Sequence, residues 1–261
     1  MKSQRSSFAI ALAVWKALFL RESVSRISTA RGAWLWLLIE PIVHVTVLVI
    51  FFTVIRQREL AGVDITLFLI TGVLSFFLVR NIAMRSMESI TTNLPLFVYR
   101  QVKPVDAVLV RAALEVLLVA AVMIVLLAGV KLFGFRIAPH DPLLILFALT
   151  LLGFCGLGFG LVFSTISGLL PEFARAGRLL FQALYILSAV IYPVFIIPQP
   201  YRDVMMLNPL VHGIESVRAG FFSTYRLVPE VSLTYLAGFA VFSVFIGLLL
   251  QVRFQQRLLA R

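Results

Sequence analysis

The sequence predicts an all-α polytopic membrane protein. It has six transmembrane helices, an N-terminal interfacial amphipathic helix, a short cytoplasmic helix and periplasmic re-entrant helices before the last span. Three observations carry this. The chain is 61% hydrophobic and 13% charged, whereas a soluble domain is about half apolar and about a quarter charged. Its mean hydropathy is +1.02, and its apolar residues come in long runs; roughly 20 are needed to cross about 30 Å of hydrocarbon. Its cations are uneven. With the N-terminus inside, cytoplasmic segments hold the Lys and Arg residues of 2–31, 80–111, 175–178 and 253–261, sixteen of the 23. That is the asymmetry of the positive-inside rule. The net charge of +11 is therefore read as orientation and not as nucleic-acid binding. Both termini are expected in the cytoplasm.

Residues 1–32 form the N-terminal unit and 33–261 the transmembrane domain. In the first, Phe8, Leu12, Trp15 and Phe19 recur at the helical period, with Arg21 and Arg26 following. A helix lying in the inner membrane interface has this pattern. Ile10 and Val14 interrupt its polar face, so packing against the spans is the competing reading. Lys16 breaks the apolar stretch, and no small-residue site precedes Arg21, so no cleaved leader is expected. Trp34 and Trp36 then mark entry into the first span.

The spans run over Leu35–Ile55, Leu67–Ala83, Ala107–Val130, Leu143–Leu170, Leu179–Ile197 and Val231–Val252. The second is short and carries Arg80, but it can extend to about Glu88. Between spans two and three, Asn93 can cap a helix and Pro95 suits its first turn. Pro104 would end it. A helix from Pro95 to about Val102 would present Leu96, Phe97 and Tyr99 beside Arg100 and Lys103, a mixture that suits a protein partner. A hairpin packed on its own domain is the bland alternative. In span four, Gly156, Gly160, Ser164 and Gly168 keep a spacing that lets another helix approach closely.

The segment 198–222 is too polar for a span and too apolar for an open loop. Pro193, Pro198 and Pro200 break any helix leaving span five, and Asn208-Pro209 lets one restart. Backbone at membrane depth must be surrounded by protein or a water-filled cavity, so the segment would enter the outer leaflet, turn and leave. Glu215 and Arg218, three apart, could pair with each other, pair across a two-fold axis, or anchor the segment.

Enzyme motifs are missing: no HExxH, CxxC or GxSxG occurs, and His44, His140 and His212 lie in separate regions. Glu40 with His44 and Arg111 with Glu115 are four apart, consistent with local pairing. Cys155 reads as a small buried hydrophobe. No GxxxxGK[ST] is present, so any nucleotide-driven work needs a site on another chain.

Four stretches, RGAWLWLLIEP at 31–41, YRQVKPVDAVLVRAALE at 99–115, LYILSAVIYPVFIIP at 184–198 and LNPLVHGIESVRAGFF at 207–222, resemble the membrane subunits of type-2 ABC exporters. The sequence is most similar to the capsular polysaccharide export permease family of Gram-negative bacteria. That resemblance implies a homodimer in the inner membrane with two copies of a separate ATPase subunit, which binds the ATP and Mg; this chain binds no cofactor itself. It implies a lipid-linked polysaccharide as substrate, handed to a periplasmic adaptor and an outer-membrane export protein. Pro95, Leu96, Phe97, Tyr99 and Arg100 would belong to the coupling helix, about 95–102. Pro193, Pro198, Asn208, Pro209, Glu215 and Arg218 would belong to a periplasmic gate. For the entrance and channel, cations suit acidic or phosphate-bearing cargo and aromatic rings suit sugar faces. Arg31, Trp34, Arg85, Lys103, Arg111, Tyr185 and Tyr192 are the candidates. An O-antigen, teichoic-acid or drug exporter of the same architecture is the nearest alternative. An intramembrane sugar-transfer enzyme would need a carboxylate pair or His cluster that the spacing does not offer.

Overall fold

A computed structural model describes residues 7–28, 33–55, 59–60, 63–135 and 137–259. The described chain is mostly helical. In order come α1 (Ser7–Ser28), α2 (Ala33–Ile55), a two-stranded antiparallel hairpin of β1 (Glu59–Leu60) and β2 (Val63–Asp64), α3 (Ile65–Met87), α4 (Ser89–Asn93) and a 3-10 turn (Leu94–Val98). Then follow α5 (Pro104–Leu132), α6 (Pro142–Leu169), α7 (Phe173–Leu187), a 3-10 turn (Val194–Ile196), α8 (Gln199–Met205), α9 (Pro209–Phe221) and α10 (Leu233–Leu259).

By length and apolarity α3, α5, α6 and α10 can each cross a membrane, and α2 carries the shorter apolar stretch Ile39–Phe52. The bundle is built on α3 and α6. From Leu67 to Val79 every α3 side chain is buried, and α6 packs against α3 on one side and α10 on the other. The small residues of α6 make this possible. A Cβ at Gly156 would press on Val79 and Ile82 of α3, one at Gly160 on Ser86, and one at Gly158 on Ser243 of α10. Close backbone approach through small residues substitutes for the hydrophobic drive that lipid cannot supply. Cys155 is buried in this seam.

Caps set several boundaries. The Asp64 carboxylate accepts from the Thr66 and Leu67 N–H groups at the start of α3, and Asp141 from Leu144 at the start of α6, which satisfies donors left free in a first turn. The second span thus runs to Met87, with Arg80 inside it.

Two expectations change. The helix foreseen over 95–102 starts one residue earlier, as the 3-10 turn Leu94–Val98, with Tyr99 already extended. Pro104 does not close it but opens α5, where its missing N–H costs nothing. Span five is also shorter than its apolar run. α7 stops at Leu187, six residues before Pro193 would break it, so the prolines are not the cause. Ala189 adopts φ 56, a left-handed conformation costly for a residue with a Cβ.

Candidate functional site

Charged side chains gather where α1, α4, the start of α5 and the ends of α3 and α10 meet; this is the basic end of the bundle. Arg111 Nε of α5 lies 3.0 Å from Glu22 Oε1 of α1, and its Nη1 donates to the Arg85 carbonyl at 2.9 Å. Arg26 of α1 donates to Glu115 of α5 and lies 3.6 Å from Glu22. Arg85 of α3 reaches Glu115 at 3.9 Å. The four-residue spacing of Arg111 and Glu115 suggested a local pair. Instead each takes its partner from another helix, because both face α1 from α5.

The same surface of α1 reaches the turn between α3 and α5. Trp15 Nε1 donates to Asp106 Oδ1 at 2.7 Å, while Asp106 Oδ2 accepts from the Lys103 N–H at 2.9 Å. Arg21 donates to Asn93. Asn93 therefore caps nothing ahead of it; its amide donates back to the Ser89 carbonyl. Phe8 and Leu12 point away and are exposed, so α1 both packs on the bundle and offers an open apolar face.

Beside this network a cavity of about 230 Å³ lies between α2, α3, α5 and α7. Its polar lining comes from Glu40, Arg80, Asn81, Arg85, Glu88, Glu115 and Arg178, with the Phe77 ring among the apolar residues. The Arg80 guanidinium stands 5.1 Å from the Phe77 centroid. Above it, His44 Nε2 and the Tyr185 hydroxyl are 2.8 Å apart, joining α2 to α7. His44 thus pairs with Tyr185 and not with Glu40.

The opposite end carries a different arrangement. Glu215 and Arg218 of α9 have fully buried side chains and pair at 2.9 Å. Arg218 also donates to the carbonyls of Ala189 at 2.8 Å and Val190 at 2.6 Å, and its guanidinium lies 3.7 Å from the Phe68 centroid. These carbonyls lie just past the end of α7, in the turn around Ala189. The Tyr225 hydroxyl reaches the Glu215 oxygens at 2.9 and 3.0 Å. Burial, and then the Glu215 charge, push its phenol well above the ordinary tyrosine range, which keeps it a donor. Gly72 of α3 has no Cβ because one would overlap the Arg218 guanidinium and the Val190 carbonyl. Of the expected options, the pair within the chain is the one found.

Asn208 completes this end. Its Oδ1 caps α9 at Leu210, and its amide donates to Ser188 Oγ at 2.9 Å. His212 bridges Met206 and Ser232: Nε2 sits 2.8 Å from the Met206 carbonyl, and Nδ1 accepts from the Ser232 N–H at 2.9 Å. That acceptor role fixes the neutral tautomer with its proton on Nε2.

The candidates from sequence fall as follows. Pro95, Tyr99 and Arg100 are exposed and Leu96 is half-buried, but Phe97 packs with Ile90, Ala107 and Leu258. Phe97 is a packing residue, and Val98, 85% exposed, takes its place on the surface. Arg31 lies outside the described residues, as does the Trp34 side chain. Arg85 lines the cavity, Lys103 is exposed at the start of α5, and Arg111 is committed to Glu22. Tyr185 faces His44, while the Tyr192 hydroxyl donates to the Ile186 carbonyl at 2.5 Å and stabilises the unwound turn. Pro193 is buried, Pro198 is exposed ahead of α8, and Pro209 is buried in the first turn of α9. Arg80, Arg178, His212 and Tyr225 were not singled out from sequence. Arg80 had a visible signal, a cation inside an apolar run. The other three are defined only by contacts.

Membrane-length helices, a charged cavity at one end and a cap of short helices at the other define a multi-span membrane protein. Comparison with known proteins gives the family. The ABC-2 type transporter family matches residues 13–222, and the chain belongs to that family. It is 36% identical over 248 residues to the polysialic acid transport protein KpsM of Escherichia coli, covering 94% of this chain and 95% of that protein. It is 30% identical to the capsule polysaccharide export inner-membrane protein CtrC of Neisseria meningitidis serogroup B, covering 84% and 82%. BexB of Haemophilus influenzae, named likewise, is 28% identical over 84% of this chain and 82% of its own length.

Proposed function

We propose that this chain is the membrane-spanning subunit of an ABC exporter that carries a lipid-linked capsular polysaccharide from cytoplasm to periplasm. The observation that carries this reading is similarity along nearly the whole chain to proteins named for capsule polymer export. In this reading the subunit works as a homodimer in the inner membrane. Two copies of a separate ATPase supply ATP hydrolysis with their own Mg, and a periplasmic adaptor and outer-membrane protein receive the polymer.

The six spans are α2, α3, α5, α6, α7 and α10. α7, with 15 residues, is only about 22 Å long, so α8 and α9 complete that crossing as the re-entrant pair. The basic end faces the cytoplasm with both termini. There the exposed Val98, Tyr99 and Arg100 form the ATPase contact, and the cavity of Arg80, Arg85 and Arg178 receives the substrate.

Deletion of the gene is expected to abolish surface capsule while polymer accumulates inside the cell. Normal capsule after deletion would end this reading. In the same strain, tagged wild-type protein is expected to co-purify with an ATPase.

A further inference from the structure

The cavity at the basic end contains an arginine, Arg80, that has no carboxylate partner among the described residues. Arg80 lies seven residues before the end of α3, about 10 Å into the helix at 1.5 Å per residue. An arginine at that depth is costly unless a carboxylate or water compensates it. Arg26, Arg111 and Arg218 each have a carboxylate. Among the described residues Arg80 has none; its neighbours are the Phe77 ring, 5.1 Å away, and the His44 and Tyr185 side chains. The ring contact holds the guanidinium in place without occupying its donors.

The rest of the lining fits the same purpose. Arg85 and Arg178 hold Glu115 and Glu88 only at 3.9 Å, and both arginine side chains are more than half exposed, so those pairs are weak. Asn81 offers both donor and acceptor. Glu40 also lines the cavity and has no ion pair among the described residues, so it can accept from hydroxyls. At about 230 Å³ the space is below the roughly 300 Å³ at which drug-sized pockets begin. It has room for one charged group or one sugar unit.

We propose that this cavity is a subsite for an anionic group of the transported glycan conjugate, with Arg80 as the residue that reads it. The planar guanidinium takes two oxygens of a carboxylate or phosphate side by side, and Asn81 and Glu40 meet neighbouring hydroxyls. The nearby carboxylates Glu40, Glu88 and Glu115 keep the hold weak. A transport path needs this, because cargo must leave as readily as it enters. The same oxygens occur on an acidic sugar unit and on the phosphate of a lipid anchor. The proposal rests on the export reading above.

The test uses the purified complex of this chain with its ATPase. Calorimetry would measure the Kd of three probes: an oligouronate, neutral maltohexaose of the same length, and short-chain phosphatidylglycerol. At least one anionic probe is expected to bind more tightly than maltohexaose. Arg80→Gln should raise that probe's Kd by at least about tenfold, the loss of one charge-assisted hydrogen bond, with an unchanged melting temperature. The probe so weakened identifies the source, sugar carboxylate or lipid phosphate. If Arg80→Gln does not fold, Arg80→Lys decides, since it keeps the charge and loses the fork: a Kd raised several-fold supports the subsite. Unchanged Kd values in the folded variants, or wild-type protein that does not prefer an anion, would overturn it. Such a failure alongside lost capsule on gene deletion removes the subsite alone. Capsule persisting after deletion removes the export reading.

Discussion

The two ends of the bundle both bury charge, and they do so in opposite ways. At the α9 end one Glu, one Arg and one Tyr meet with their side chains removed from solvent, and the guanidinium also binds two carbonyls of an unwound turn. At the basic end Glu22 is shared by Arg26 and Arg111, and Glu115 by Arg26 and Arg85. In the first network Arg218 and Tyr225 both converge on Glu215, and Arg218 is its one cation, so losing Arg218 leaves a buried carboxylate without its charge partner. The second has interchangeable partners and touches an open cavity. One end is therefore a lock and the other an adjustable joint. The joint is bonded through Arg21 and Trp15 of α1 to Asn93 and Asp106, which flank the proposed ATPase contact.

That contrast makes graded predictions. Arg218→Ala should be the most damaging change, since it leaves Glu215 buried without its cation; breaking such a pair costs about 3–5 kcal/mol. Folded yield and melting temperature in detergent would register it, and a near-wild-type melting curve would show that no lock exists. Gly72→Ala should follow at about 1–3 kcal/mol, the usual range for overpacking, with the same readout. Glu22→Gln should cost only about 1 kcal/mol, because Arg26 keeps Glu115 and Arg111 keeps the Arg85 carbonyl. A loss as large as that of Arg218→Ala would erase the distinction between the ends. Tyr99→Asp should change stability least, within about 0.5 kcal/mol as for surface positions, yet reduce the amount of ATPase that co-purifies. Phe97→Asp would lower both together, since Phe97 lies in the Ile90–Leu258 cluster.

The long apolar helices were the most legible part of the sequence. Leu143–Leu170 differs by one residue at each end from α6, and Ala107–Val130 falls inside α5. Hydrophobic length is a local property, so a local reading suffices. The seam of Gly156 and Gly160 was legible for the same reason, since small residues four apart share one helix face. The site was legible only in fragments. Arg85 reached the cavity and Tyr99 the surface, but Phe97 turned inward because three separate segments close over it. Arg111 was taken up by a helix almost ninety positions earlier.

From its residues alone this chain was determined to be a helical membrane protein. Apolar run length and the Asn208-Pro209 restart act within a single segment, so they are written where they act. Tertiary structure decided which charges are spent and which remain free. α7 ends before its prolines where distant side chains take the carbonyls: Tyr192 and Asn208 bind those of Ile186 and Leu187, and Arg218, some thirty residues later, binds those of Ala189 and Val190 just beyond. Arg80 keeps its donors open because no described carboxylate folds against it. Partnership between distant side chains depends on how whole helices cross, and no local pattern encodes that.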